Sequence, residues 1–510
     1  MILITSASYV NQELQNEFGK IPPAFLPLKN KRLYEHYKFD STKEKLFISL
    51  PNNYILDYWD KVNFEQLGYN ILYIDENLKL GESVAKAISL IPEPINKLKI
   101  IHGDSLFLDL PEDDMCFIVS EVNENYNWGI ENNSQKMYSG YFVIDKINSF
   151  LELLDTSKFE FILAIELYKE KFSVPVFLTK SWLDFGHLTT YYKSKSNFTT
   201  ERSFNNLKIS KGIVKKNGLN FKIKSEVLWF KNIPSKLRIY TPKLIDYNLN
   251  DQNYSYDIEY KYLSCLNDLF VYGTLPPRTW RAIFNSCFDV LSLMSYKKLD
   301  SSESLYHFIN SKTKNRINDN YIFDLDEKVS YIGLSPISIN EIISSINEHL
   351  TINENLCEVM HGDFCFSNLL FDFRKHQIQM IDPRGSLDGI NFTINGFLSY
   401  DLAKLTHSVI GLYDFIVSDR FVIKKDSNGT AEIIFNLQKQ TLKVQSEFLS
   451  ILNEMGFNYK LIMSICIHLF ISLIPLHSDS FNRQQGFYFN IFRLYKELKE
   501  YDSISNGRQG

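Results

Sequence analysis

The chain is poor in cysteine, with six in 510 residues (Cys116, Cys265, Cys287, Cys357, Cys365 and Cys466) and no Cys-x-x-Cys pair among them. That scatter excludes a disulfide framework, argues against a structural zinc site, and suits a reducing cytoplasm. No long basic run is present either: 55 Lys plus Arg stand against 60 Asp plus Glu, a formal net charge of −5. Nucleic acid is therefore not expected as a partner. The opening run Met1-Ile2-Leu3-Ile4-Thr5 is too short for a signal peptide and has no basic flank. Near the C-terminus the longest apolar stretch, Leu461 to Pro475, is broken by His468 and Ser472. It reads as a core helix rather than a membrane span, so no direct membrane insertion is expected. What remains is a globular chain, 45% hydrophobic with well-mixed charge. Its length exceeds one core, so two domains are expected.

In the first half, short apolar runs recur at Ile2-Leu3-Ile4, Leu46-Phe47-Ile48-Ser49-Leu50, Ile71-Leu72-Tyr73-Ile74 and Leu98-Lys99-Ile100-Ile101. Helical spacing fills Gly81 to Leu90, with Val84, Ala87, Ile88 and Leu90 apolar. Strands alternating with helices imply a mainly parallel sheet, whose ligands sit at the carboxyl ends of the strands. One strand ends in His102-Gly103-Asp104, and much later Trp182-Leu183-Asp184-Phe185-Gly186-His187 offers a second acid beside a glycine. Either acid alone reads as a cap or turn residue; together Asp104 and Asp184 form a candidate metal pair.

In the second half, Ser203 to Ile209 and Gly212-Ile213-Val214-Lys215 read as a hairpin, and Asn220 to Phe230 as a helix. Lys215 and Glu226 are the candidates for a lysine–glutamate pair that holds nucleotide phosphates, with Lys216 and Lys222 as rivals. A solvated Lys–Glu face accounts for the same residues. Tyr256-Asp257-Ile258-Glu259-Tyr260 reads as an edge strand. Helical patterns follow at Trp280 to Tyr296, Ile339 to Leu350, Leu442 to Met455, Leu461 to Ile471 and Tyr488 to Lys499.

One stretch organises this half. His361-Gly362-Asp363-Phe364-Cys365-Phe366-Ser367-Asn368 runs into Leu369-Leu370-Phe371-Asp372-Phe373, then a polar turn, then Gln377-Ile378-Gln379-Met380 and Ile381-Asp382-Pro383-Arg384-Gly385. Strand, turn and strand return the chain to its start and set Asn368 beside Asp382, with Asp363 just upstream. Two metal-ligand oxygens and a carboxylate at one hairpin mouth suit phosphoryl transfer. Asp363 would orient a substrate hydroxyl and accept its proton, while Asn368 and Asp382 would hold Mg²⁺ on the phosphates of ATP. His361 reads as a loop stabiliser, Asp401 as a helix cap or loop anchor, and Arg384 as a contact for phosphate or acidic substrate or as a structural pair.

His-Gly-Asp, four residues, Asn, then Ile-Asp resembles the signature of the aminoglycoside phosphotransferase and choline kinase family, over roughly residues 196–500. The resemblance implies a bilobal protein-kinase-like α+β domain. Thr199 to Asn206, where its nucleotide-covering loop would stand, has no glycine. The first half resembles the sugar-phosphate nucleotidyltransferases through Gly19-Lys20-Ile21-Pro22-Pro23-Ala24-Phe25-Leu26-Pro27-Leu28, which is similar to their Pro-Lys-Ala-Leu-Leu-Pro-Val segment. That likeness implies an α/β, Rossmann-like (GT-A-like) domain. It puts Gly81 near the nucleotide base, Asp104 and Asp184 on the metal, and Tyr138-Ser139-Gly140-Tyr141-Phe142-Val143 near the sugar. The family's Gly-x-Gly-x-Arg phosphate loop is replaced by Ser6-Ala7-Ser8-Tyr9-Val10-Asn11, and its segment lysine by Pro23. Lys20, Lys29, Lys31 and Arg32 are the cations at hand for a triphosphate.

Joined, the domains 1–195 and 196–510 look like bacterial capsule-biosynthesis proteins that fuse a nucleotidyltransferase to a small-molecule kinase. The expectation is ATP-dependent phosphorylation of a sugar, polyol or amino alcohol. Nucleotidyl transfer from a second NTP, with CTP favoured, would follow and release pyrophosphate. A sugar is favoured over choline, because Arg384, Asp388, Asn391 and Asn395 follow Asp382 and no aromatic cage can be assigned. The alternative is a kinase alone, with a non-catalytic N-terminal binding domain. A pseudokinase is disfavoured by the intact Asp363, Asn368 and Asp382. The oligomeric state is not legible.

Overall fold

A computed structural model describes residues 1–108, 110, 116–121, 136–197, 206–219, 221–250, 253–299, 304–318, 321–351 and 354–507. The chain forms two compact units, Met1–Phe198 with Tyr272–Thr274, and Thr199–Val271 with Leu275–Gly510. The protein is mixed α/β, and its largest sheet is largely parallel.

That sheet belongs to the first unit. Its seven strands lie in the order Val176–Leu178, Phe117–Glu121, Lys136–Ile144, Leu98–His102, Ile2–Thr5, Leu46–Pro51 and Tyr69–Ile74. Lys136–Ile144 runs antiparallel to both neighbours, and the other pairs are parallel. Ile2, Leu3 and Ile4 are all fully buried, as a parallel strand covered on both faces requires. Leu3, Ile100, Phe117, Phe142 and Phe150 share one core with Val84, Ala87 and Ile88 of the helix Leu80–Leu90. Ile2–Thr5 and Leu98–His102 end together, with Thr5 opposite His102. Just beyond, Ser105–Phe107 pairs antiparallel with Trp182–Asp184, and Asp184 stands opposite Ser105. This short ladder brings two acids eighty residues apart to one place at the carboxyl ends of the strands.

The second unit opens with a four-stranded antiparallel sheet in the order Asn206–Ser210, Ile213–Gly218, Tyr254–Glu259, Leu244–Asn248. Tyr254–Glu259 is thus an inner strand, not the edge strand expected. The partner it gains is Leu244–Asn248, which the sequence pattern did not flag, and Tyr256 and Ile258 fill its buried face. The helix after the hairpin spans Phe221–Asn232. Helices Pro277–Met294, Leu305–Asn318, Ile339–Asn347, Leu398–Val409, Lys439–Glu454, Tyr459–Leu473 and Phe481–Gly507 follow. Tyr459–His477 is long and apolar enough to cross a membrane by length and composition, but 78% of it is buried inside the protein. It packs against Leu305–Asn318, Leu398–Val409 and Phe481–Gly507, as a core helix does. The hairpin Leu369–Asp372 with Gln377–Met380 forms as expected, with Leu369 opposite Met380, and Ser264–Cys265 adds a third strand.

Candidate functional site

In the second unit the hairpin closes through Ile381 N–H donating to the Asn368 carbonyl at 3.0 Å. The Asn368 side-chain amide donates to the Asp363 carbonyl at 3.0 Å, so Asp363, Asn368 and Asp382 meet at the hairpin mouth. Asp382 has φ 56°, left-handed backbone that a non-glycine residue adopts only where its surroundings impose it. Gly362 has φ 78°, and a Cβ there would stand 2.8 Å from Arg384 Cβ. Asp401, on Leu398–Val409, accepts from His361 N–H at 2.7 Å and Gly362 N–H at 2.8 Å, which makes it the anchor of the loop. Burial pushes its carboxyl up to about 7 against those two bonds. His361 is buried between Trp229 and Phe364, and its Nδ1 accepts from Asp363 N–H at 3.2 Å. Burial holds its pKa down to about 4, so the ring is neutral and shapes the loop.

The lysine that meets Glu226 is Lys216, not Lys215. Neighbouring side chains on a strand point to opposite faces. Lys215 lies on the exposed face and pairs with Asp257 at 2.7 Å. Lys216 is buried, 2.7 Å from Glu226 Oε2 and 3.1 Å from Asp382 Oδ1. Burial works against its charge, but Asp382 and Glu226 outweigh that and raise its pKa. Tyr256 donates to Glu226 at 2.6 Å, and Lys222 stands 3.6 Å from the other carboxylate oxygen.

Asp363 is held between two cations, with Arg384 Nη2 2.6 Å from Oδ2 and Lys404 Nζ 2.9 Å from Oδ1. Burial would raise its pKa, yet Arg384 and Lys404 together hold it well below the usual carboxylate range. The role of Lys404 was not read from the sequence. Its signal is the spacing of Asp401 and Lys404, three apart on one helix face, with one gripping the loop backbone and the other the loop side chain.

Of the polar groups after Asp382, Arg384 alone reaches Asp363. Asp388 accepts from the backbone of Ile390 and Asn391 and from the Ser386 hydroxyl, and Asn391 donates back to Asp388. Asn395 donates to the Glu358 carbonyl. Short polar side chains of this kind close their own turns, and each of these three has a partner within the chain. The covering-loop segment Thr199 to Asn206 lies outside the described residues up to residue 205.

In the first unit Asp104 and Asp184 face each other. A Cβ at Gly186 would stand 2.8 Å from Asp104 Oδ2 and 3.2 Å from Asp184 Oδ1, so glycine permits this approach. Phe185 N–H donates to the Asp104 carbonyl at 2.8 Å and Gly186 N–H to Asp184 Oδ1 at 2.9 Å. The loop after the first strand joins them, because Asn11 donates to the Gly186 carbonyl at 2.9 Å. Asp184 Oδ2 is buried without a hydrogen-bond partner. Burial, then the charge of Asp104, pushes the Asp184 pKa up to about 6, and burial also raises Asp104. Among the described residues no Lys or Arg pairs with either acid, and no group of three or more His, Cys, Asp and Glu side chains is assembled for a metal.

Other candidates of this unit stand elsewhere in it. Lys20 pairs with Glu76 at 3.1 Å and lies over the ring of Tyr9, in the loop after the first strand. Arg32 is buried and bound to Asp60, a structural pair. Gly81 lies in the first turn of Leu80–Leu90, where a Cβ would come within 2.3 Å of the Phe159 carbonyl. Close packing of the helix therefore accounts for that glycine. A surface cavity of about 300 Å³ lined by Phe323, Tyr488 and Phe489 contains none of these site residues.

No family model matches the chain, and no curated protein does. Over part of its length it is similar to solved structures. An aminoglycoside-3'-phosphotransferase of type VIII has 11% identity, with 54% of this chain and 92% of that chain covered, at a TM-score of 0.34. Choline kinase from Cryptosporidium parvum Iowa II has 13% identity, covering 61% and 89%, at 0.30. HddC from Yersinia pseudotuberculosis has 18% identity, covering 39% and 99%, at 0.28.

Proposed function

We propose that the second unit transfers the γ-phosphoryl group of ATP to an alcohol group of a small molecule. The observation that carries this is the linked set Glu226, Lys216 and Asp382, at a hairpin mouth shared with Asn368 and Asp363. Glu226 holds Lys216 where it can bind nucleotide phosphates, and Asp363 orients the acceptor hydroxyl and takes its proton. Asn368 and Asp382 would hold Mg²⁺. The fit is chemical: the Asn368 amide N–H is bonded to the Asp363 carbonyl, so its side-chain oxygen and the Asp382 carboxylate are the oxygen donors of the hairpin mouth, and oxygens suit a hard cation. When bound, Mg²⁺ neutralises charge on the triphosphate. The test is ADP formation by the full chain with Mg²⁺ and ATP over a panel of sugars, polyols and amino alcohols. Turnover that falls on the order of 10²-fold or more in Asp363→Asn supports the reading. No ADP with any member would overturn it.

In the same reading the first unit transfers a nucleotidyl group from a second NTP, CTP favoured, to the phosphorylated product. The outcome is pyrophosphate and an activated donor for surface polysaccharide synthesis. Support comes from Asp104 and Asp184, two half-buried carboxylates that have no lysine or arginine partner among the described residues, one with an unpartnered oxygen. Such a pair fits a divalent cation. A kinase with a non-catalytic first unit remains the second reading, favoured by Ser6–Asn11 standing where a glycine-rich phosphate loop is expected. Pyrophosphate release decides between them, and Asp104→Ala should abolish it while ADP formation persists.

A further inference from the structure

The groups around Asp363 say something about the acceptor. Both oxygens of Asp363 are already in ion pairs, with Arg384 and Lys404. A third cation stands close by. Lys312, on Leu305–Asn318, is half-buried, bonds the Tyr400 hydroxyl and lies 4.5 Å over the Tyr400 ring. Tyr400 and Lys404 are one turn apart on the same helix, and the charges of Lys404 and Arg384 both act on Lys312. Among the described residues no carboxylate pairs with Lys312. Asp401 is engaged by two backbone N–H groups, and Asp388 by its own turn. Lys312 thus lies near the two cations that already take both oxygens of Asp363, beside the place where an acceptor hydroxyl must lie for Asp363 to reach its proton. An ammonium group brought there would meet like charge.

Resting on the phosphotransferase reading, we infer that the phosphate acceptor is itself an anion, an alcohol that also carries a carboxylate or phosphate group. Lys312, Arg384 and Lys404 bind that group. Arg384 offers the planar fork that suits either anion. The hydroxyl oxygen then bonds to the γ-phosphorus, its proton passes to Asp363, and the bond to the β-phosphate oxygen breaks to leave ADP. The ATP phosphates have a separate cation in Lys216, oriented by Glu226.

The experiment compares matched acceptors with the full chain, Mg²⁺ and ATP, reading initial ADP formation. One set is D-glucuronate, D-glucose 6-phosphate, D-glucose and D-glucosamine; the other is D-glycerate, glycerol 3-phosphate, glycerol and ethanolamine. An anionic member should exceed its neutral and cationic counterparts at least tenfold in kcat/KM, and the two anionic arms distinguish carboxylate from phosphate. Lys312→Met should shrink that preference severalfold through the acceptor KM, with the KM for ATP unchanged, and Lys312→Arg should retain it. Equal or faster turnover of a neutral or cationic member overturns the inference while the phosphotransferase reading stands. A Lys312→Met preference equal to the wild type also overturns it. ADP from none of the eight removes that reading and the inference together.

Discussion

The two units treat their half-buried carboxylates in opposite ways. In the second, Asp363 has both oxygens paired with cations of the chain, Arg384 and Lys404. In the first, Asp104 and Asp184 face each other, and among the described residues neither has a lysine or arginine partner. Burial raises the cost of charge in both places; what differs is the source of the compensating charge. The second unit carries it covalently. In the first, among the described residues, the compensating charge that acts on both acids is that of His187.

The largest effect should come from removing the compensated acid. Asp363→Ala leaves Arg384 and Lys404 facing each other near the loop, and should destabilise the second unit by about 2–3 kcal/mol in denaturant unfolding. The figure sits at the lower end for a buried pair because the Arg384 side chain is 39% exposed. ADP formation should be lost in the same variant. Removing an uncompensated acid should do the reverse: Asp184→Asn should raise the thermal stability of metal-depleted protein at pH 7.5 by about 2 kcal/mol. It should also abolish any stabilisation by Mg²⁺, read as the shift in melting temperature on adding the ion. An equal Mg²⁺ response in the variant would break the comparison.

The pH dependences have opposite signs. Asp363 has a depressed pKa, so its contribution is present above the ordinary carboxylate value near 3.8 and is lost as pH falls below it. Asp184 is raised from 3.8 to about 6, so its contribution is present below pH 4 and lost as pH rises through 6. A melting-temperature scan without divalent ions should therefore show one loss below pH 4 and another around pH 6, and Mg²⁺ should correct only the second. The smallest effect is expected at Lys215. Its exposed pair with Asp257 should be removable by Lys215→Ala with no change in the KM for ATP, whereas Lys216→Ala should raise it at least tenfold.

Much of this was legible in the sequence because it is local. Asp363, Asn368 and Asp382 lie within one hairpin, and a hairpin's register follows from its alternation and turn. Asp104 and Asp184 were legible as strand-end acids beside glycines. The choice of Lys216 over Lys215 was not, because a one-residue shift flips the face and the pattern of this strand is polar on both sides of the choice. Leu244–Asn248 is mostly exposed, so it left no apolar signature, and its absence made Tyr254–Glu259 look like an edge. Lys312 and Lys404 come from helices whose sequence carries no motif. Only packing brings Lys404 to Asp363 and Lys312 to Tyr400, and packing is long-range information.

The most direct test incubates wild-type protein, Asp363→Asn and Asp104→Asn with Mg²⁺, ATP, CTP and the acceptor panel, and follows ADP and pyrophosphate together. Wild type should form both, and Asp363→Asn should form neither from an unphosphorylated acceptor. Asp104→Asn should form ADP without pyrophosphate. Undiminished ADP formation by Asp363→Asn, or none by the wild type, would contradict the account.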